Sequence, residues 1–215
     1  MSKPHRISKV LIFVACLAPV VWLFVAAATG NLSANPIKDI TEATGTWTLR
    51  FLLVTLTVTP LRKITGWTEA IKFRRMLGLF AFFYGFLHFM TYFSLDQFFS
   101  IPDIIKDVSK RPFITAGFTG FVLMVPLAIT STKKWIGRLG GKRWQWLHRL
   151  IYVSSIAGVV HYLWLVKADT QRPITYGILL SILLGYRLLM SFLPRLAPPR
   201  MMAPRRVVQA TSIDG

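Results

Sequence analysis

The stretch WQWLHRLIYVSSIAGVVHYLWLVK, residues 144–167, contains an apolar run from Leu150 to Val166 broken by one ionisable side chain, His161. A helix needs ~20 apolar residues to cross ~30 Å of hydrocarbon, and this run comes close. An imidazole at such depth is expensive, so a residue of that kind is a functional candidate by default.

Five further apolar stretches surround it: Val10 to Thr29, Thr46 to Leu61, Met76 to Phe93, Phe113 to Thr130 and Ile174 to Leu193. The shortest of them, Thr46 to Leu61, can still cross where the bilayer thins or flanking residues snorkel. Of the 215 residues, 53% are hydrophobic and 16% charged, with a mean hydropathy of +0.51. A soluble domain has about 25% charged residues, and this composition excludes one, along with a disordered tail or a disulfide scaffold. Cys16 is the single cysteine, so no internal disulfide forms, and no C-x-x-C-H is present for covalent haem attachment.

The formal charge of +18 invites a nucleic-acid reading. The basic residues instead sit between the apolar runs, as the positive-inside bias of membrane topology requires. Eighteen of them fall in the N-terminus, the second-to-third and fourth-to-fifth connections and the C-terminal tail, against six in the remaining connections. The split predicts an all-α membrane protein, a six-helix bundle with both termini cytoplasmic. The bundle is expected over residues 1–193, followed by a Pro/Arg-rich cytoplasmic tail over 194–215. The first run follows Lys3, Arg6 and Lys9 like a signal peptide, but exceeds the about 7–15 apolar residues of a cleavable one, so an uncleaved helix is expected.

The ionisable residues at membrane depth are few: His88 in the third run, His161 in the fifth, His148 at the cytoplasmic mouth of the fifth, Arg50 in the second and Arg187 in the sixth. No Asp or Glu lies within a run, which counts against a proton-coupled transporter. Histidines without carboxylates suit axial ligation of haem iron by neutral imidazole. His88 lies thirteen residues after Arg75, and His161 thirteen after His148. On parallel helices each therefore stands about 18–20 Å above the cytoplasmic mouth, at one depth in the outer half.

Small residues repeat with the same register. Gly85 and Ala81 precede His88 by three and seven positions, and Gly158 and Ser154 precede His161 likewise. On a helix these positions lie about 60° and 20° from the histidine, which predicts a slot for a flat macrocycle. Close helix packing is the competing use of small residues. His148 lies about 20 Å below His161 and cannot share its iron. It is either the ligand of a second haem or an interfacial histidine beside Trp144 and Trp146. Arg50 and Arg187 either snorkel to water or pair with haem propionates. Gly137 to Lys142 (GRLGGK) lacks the spacing of a phosphate loop.

The segments RFLLVTLTVTPLR (50–62), RRMLGLFAFFYGFLHFMTY (74–92), KRPFITAGFTGFVLMVPLAITS (110–131) and the opening stretch 144–167 resemble the MsrQ family, formerly YedZ. These are haem-binding membrane subunits of bacterial methionine sulfoxide reductase systems, within the ferric-reductase-like transmembrane superfamily. The resemblance implies an inner-membrane subunit that passes electrons through haem b to a periplasmic molybdopterin catalytic subunit, for repair of oxidised proteins. It further implies an association with FMN, and a quinone or a cytoplasmic flavin reductase as donor. His88, His148 and His161 match the family's haem-associated histidines, whereas Arg75 stands where larger relatives carry a fourth. The catalytic site is then expected on the partner. Competing functions are a self-sufficient ferric or quinone reductase, and a non-redox permease or scaffold whose histidines only bridge helices.

Overall fold

A computed structural model describes the backbone of residues 3–196 and the side chains of 7–192. The described residues form helices and no strand: α1 (Lys3–Ala28), α2 (Pro36–Thr65), α3 (Ile71–Thr91), α4 (Ile101–Lys110), α5 (Pro112–Ile129), α6 (Lys133–Leu139), α7 (Gly141–Leu147), α8 (Leu150–Leu165) and α9 (Gln171–Leu196). A 3-10 turn precedes α3, and a π turn over Tyr92–Asp96 follows it. The tail expected over 194–215 begins inside α9, and from residue 197 it lies outside the described residues.

The boundaries follow from local chemistry. Asn35 caps α2 by accepting the Lys38 N–H at 3.1 Å, and Pro36 fills the first turn, where its missing N–H costs nothing. Gly66, at φ 73°, closes the same helix in a left-handed conformation that an L side chain resists. Pro112 starts α5 in the same way as Pro36 starts α2.

The six apolar stretches fall in α1, α2, α3, α5, α8 and α9. Four helical segments are long and apolar enough to cross a membrane by length and composition: Ile7–Ala28, Thr68–Asp96, Pro112–Ile129 and Gln171–Phe192. The other two helices differ for physical reasons. α8 has only 16 residues. α2 has 30, but eight are threonines, and it packs against α1, α3, α8 and α9. A helix enclosed by protein need not be apolar all round. Its threonines also bond back to their own helix, as Thr44 Oγ1 does to Ile40 O and Thr55 Oγ1 to Phe51 O, both at 2.7 Å.

Two antiparallel hairpins, α2–α3 and α5–α8, make the closest helix pairs, and α3 joins them by packing on α5. The core between α1, α2 and α3 is aromatic. Phe51 stacks on Tyr84 at 5.2 Å and on Phe80 at 5.8 Å between ring centroids. Prolines inside the helices leave orphan carbonyls that tertiary contacts must satisfy. Pro60 cannot donate to Leu56 O, and Arg187 of α9 takes that carbonyl at 2.6 Å.

Candidate functional site: a histidine pair between two hairpins

α3 ends three residues beyond His88, and α8 ends four beyond His161. The two helices thus carry the histidines near matching ends, and the bundle brings the rings together. Their centroids are 6.0 Å apart and their planes 73° to each other. The common depth expected from the spacing to Arg75 and His148 places them within reach of one ligand.

Each imidazole is oriented by a backbone carbonyl. His88 Nδ1 lies 2.9 Å from Thr41 O, and His161 Nδ1 lies 2.6 Å from Phe113 O. A carbonyl only accepts, so Nδ1 carries the proton in each ring and Nε2 carries the lone pair. This is the arrangement of a metal-ligating histidine, whose second nitrogen donates to a carbonyl and so fixes the tautomer. A metal-bound imidazole nitrogen sits about 2.0–2.1 Å from the ion and about 1.1 Å from its ring centre, so two imidazoles on opposite sides of one ion have centroids about 6.3 Å apart. The observed 6.0 Å is close to that separation, and it also falls in the range of about 4.5–7 Å of an edge-on contact between two rings. Among the described residues no group of three or more His, Cys, Asp or Glu could hold a metal ion.

The small residues beside the histidines are used differently on the two helices. On α8, Ser154 Oγ donates to Gly120 O at 2.7 Å, and Gly120 lies against Ser154 and Ala157, so that side serves close α5–α8 packing. On α3, the space at Gly85 faces the flexible end of Met124, whose Cε would stand 2.8 Å from an added Cβ. The space expected for the slot is occupied in this structure: Met124 Cε and Thr48 Cγ2 crowd Gly85, and Leu49 Cδ1 stands 3.7 Å from a Cβ added at Gly158.

His148 is separate from the pair. It follows α7, ahead of the fifth apolar stretch, with its ring stacked on Trp144 at 3.9 Å. Its Nε2 lies 3.1 Å from Thr130 Oγ1, while that hydroxyl donates to Pro126 O at 2.6 Å. The imidazole must then donate from Nε2. Burial, and after it the Arg74 guanidinium, push His148 down to about 4, so the ring is neutral.

Arg50 is exposed, with Nε donating to Tyr176 O–H at 3.0 Å and the guanidinium 4.6 Å over the Trp47 ring. Arg187 is held by Leu56 O and, at 3.1 Å, by the Tyr152 hydroxyl. Gly45, Gly117 and the Thr41 and Phe113 carbonyls join the site only through the fold. The only trace of them in the sequence is a glycine four residues after each carbonyl.

Long apolar helices, with two imidazoles from neighbouring hairpins brought side by side, define an all-helical membrane protein. Residues 43–159 match the family described as ferric reductase like transmembrane component. A relative from Herminiimonas arsenicoxydans is 52% identical over 181 residues, 83% of each chain, and is named protein-methionine-sulfoxide reductase heme-binding subunit MsrQ. Relatives of the same name from Ralstonia nicotianae and Azospira oryzae are 47% and 51% identical over 187 residues, 86% of this chain and 86% and 80% of theirs. The chain belongs to the ferric-reductase-like transmembrane family and, within it, to the MsrQ family.

Proposed function

We propose that this chain binds haem b between His88 and His161 and serves as the membrane electron-transfer subunit of a methionine sulfoxide reductase system. The observation that carries this is the pair of adjoining imidazoles from two hairpins, each with Nδ1 tied to a backbone carbonyl, which puts the ligating lone pair on Nε2. When bound, the haem supplies a one-electron iron couple in a medium from which water is excluded. The protein would hold it through His88 and His161, whose Nδ1–H bonds to Thr41 O and Phe113 O raise their basicity, and would surround it with low dielectric.

The remaining parts follow from the same reading. Six spans with both termini in the cytoplasm of an inner-membrane protein are supported by the eighteen-to-six split of basic residues. Electrons enter from a quinone or a cytoplasmic flavin reductase and leave to a periplasmic molybdopterin subunit of the MsrP kind, where methionine sulfoxide is reduced. FMN enters through family membership alone. Arg50 engages Tyr176 through Nε, which leaves its terminal nitrogens for a propionate. Arg187 gives its two terminal nitrogens to Leu56 O and the Tyr152 hydroxyl while its buried Nε has no partner among the described residues, and His148 would ligate a second haem through Nε2 only by giving up Thr130.

The test is the haem-to-protein ratio of the purified chain by pyridine haemochrome. The unaltered protein should be coloured, and His88→Ala or His161→Ala should lose the b-type bands. A colourless, folded native chain overturns the proposal.

A further inference from the structure

The two imidazoles rest on matched seats. A Cβ added at Gly45 would stand 2.9 Å from His88 Cε1 and 3.0 Å from its Nδ1. One added at Gly117 would stand 2.7 Å from His161 Nδ1, 2.9 Å from Cγ and 3.0 Å from Cε1. Real Cβ atoms do not approach so closely, so each ring lies against a helix where only glycine fits. In both cases the carbonyl that receives Nδ1–H belongs to the residue four earlier, Thr41 below Gly45 and Phe113 below Gly117. The coincidence has a physical cause. In an α-helix the carbonyl of residue i bonds to the N–H of i+4, and the side chain of i+4 stands beside it. Removing that side chain bares the carbonyl's second lone pair to a donor on a neighbouring helix.

Other glycines of the bundle do not show this. Gly185 has nothing within 4 Å of an added Cβ, and Gly78, Gly158 and Gly177 have only contacts of 3.6–3.7 Å. At Gly85 the close atom is the mobile end of Met124. At Gly45 and Gly117 it is a ring pinned through its own N–H, which cannot move aside without losing that bond.

We propose that Gly45 and Gly117 are positioning residues for the axial imidazoles, each seating one ring flat on its helix and exposing the carbonyl that fixes its tautomer and plane. This rests on the haem reading above. Two consequences are spectroscopic. The seats hold the ring planes at 73°. Near-perpendicular axial imidazoles give ferric low-spin haem a strongly anisotropic EPR signal, and parallel ones give a rhombic signal. The N–H···O=C bond also makes each imidazole a more basic ligand, which favours the ferric state and lowers the midpoint potential.

The experiment uses the full-length, haem-loaded protein and its Gly45→Ala and Gly117→Ala variants, with Gly185→Ala as control. EPR and redox titration are the readouts, and monodisperse elution reports folding. Both seat variants should shift the low-spin signal or convert part of it to high spin, and should raise the potential. Gly117→Ala should act more strongly because its seat is tighter. Gly185→Ala should match the native protein. If a seat variant is not recovered folded, the native EPR signal decides: strong anisotropy supports the proposal, and a rhombic signal overturns it. Haem-loaded seat variants with native EPR and potential overturn the seats and leave the haem reading standing. A colourless native protein overturns both.

Discussion

The hydroxyl of Tyr84 on α3 stands inside the backbone ladder of α1, donating to Cys16 O at 2.8 Å and accepting the Val20 N–H at 3.2 Å. Val20 and Cys16 are four apart and would otherwise bond to each other beside Pro19, where the ladder is already broken. One phenol thus fastens a largely lipid-facing helix to the core. Tyr84→Phe leaves a donor and an acceptor to find each other again across a proline kink. It should lower stability by about 1–3 kcal/mol, read as a fall in the unfolding midpoint in detergent, with the histidine pair unaffected.

Arg187 should behave as a backbone cap. Arg187→Leu strips Leu56 O and the Tyr152 hydroxyl of their partner, at a cost of about 1–3 kcal/mol. Adding Pro60→Ala restores an N–H one turn from Leu56 and should recover part of the loss. Thermal unfolding of the single and double variants checks this, and absence of rescue would return Arg187 to the list of cofactor partners.

His148→Ala should leave the low-spin signal of the His88–His161 pair in place, since His148 engages Thr130 and Trp144 rather than the pair. Haem stoichiometry in the same sample separates the two roles considered for it. An unchanged ratio assigns His148 to structure, and a lost fraction assigns it a second haem.

Asp107 gathers the connection that follows α3. Its carboxylate accepts from Gln97 Nε2 at 3.2 Å and Tyr92 O–H at 3.3 Å, and pairs with Arg111 Nε at 3.3 Å. The tip it braces carries Phe98 and Phe99 at φ 46° and 63°, a conformation costing bulky residues about 1–3 kcal/mol each. Asp107→Ala should release the tip, seen as faster hydrogen exchange over residues 97–111 with little change in the core.

Much of the architecture was legible because hydrocarbon imposes length and apolarity. The level of His88 and His161 was legible too, since 1.5 Å per residue converts spacing into depth. α2 is harder to read, because eight threonines dilute its apolarity while most of their hydroxyls are satisfied by their own helix, as Thr57 Oγ1 is by Leu53 O at 2.9 Å. α4 carries Ile101, Ile104, Ile105 and Val108 at helical spacing, but its ten residues cannot span a bilayer and so leave no membrane signal in the sequence. The seats at Gly45 and Gly117 could not have been found by any count along the chain. They exist only when a ring from another helix arrives, and sequence distance does not record which helices become neighbours.

The two jaws of this site are made far apart in time. Thr41, Gly45 and His88 leave the ribosome on the first hairpin, well before Phe113, Gly117 and His161 arrive on the second. An early jaw alone offers a single imidazole and a weak grip. On the haem reading, a ligand that needs both imidazoles is held only once the two hairpins have met, so loading would report completed assembly of the bundle.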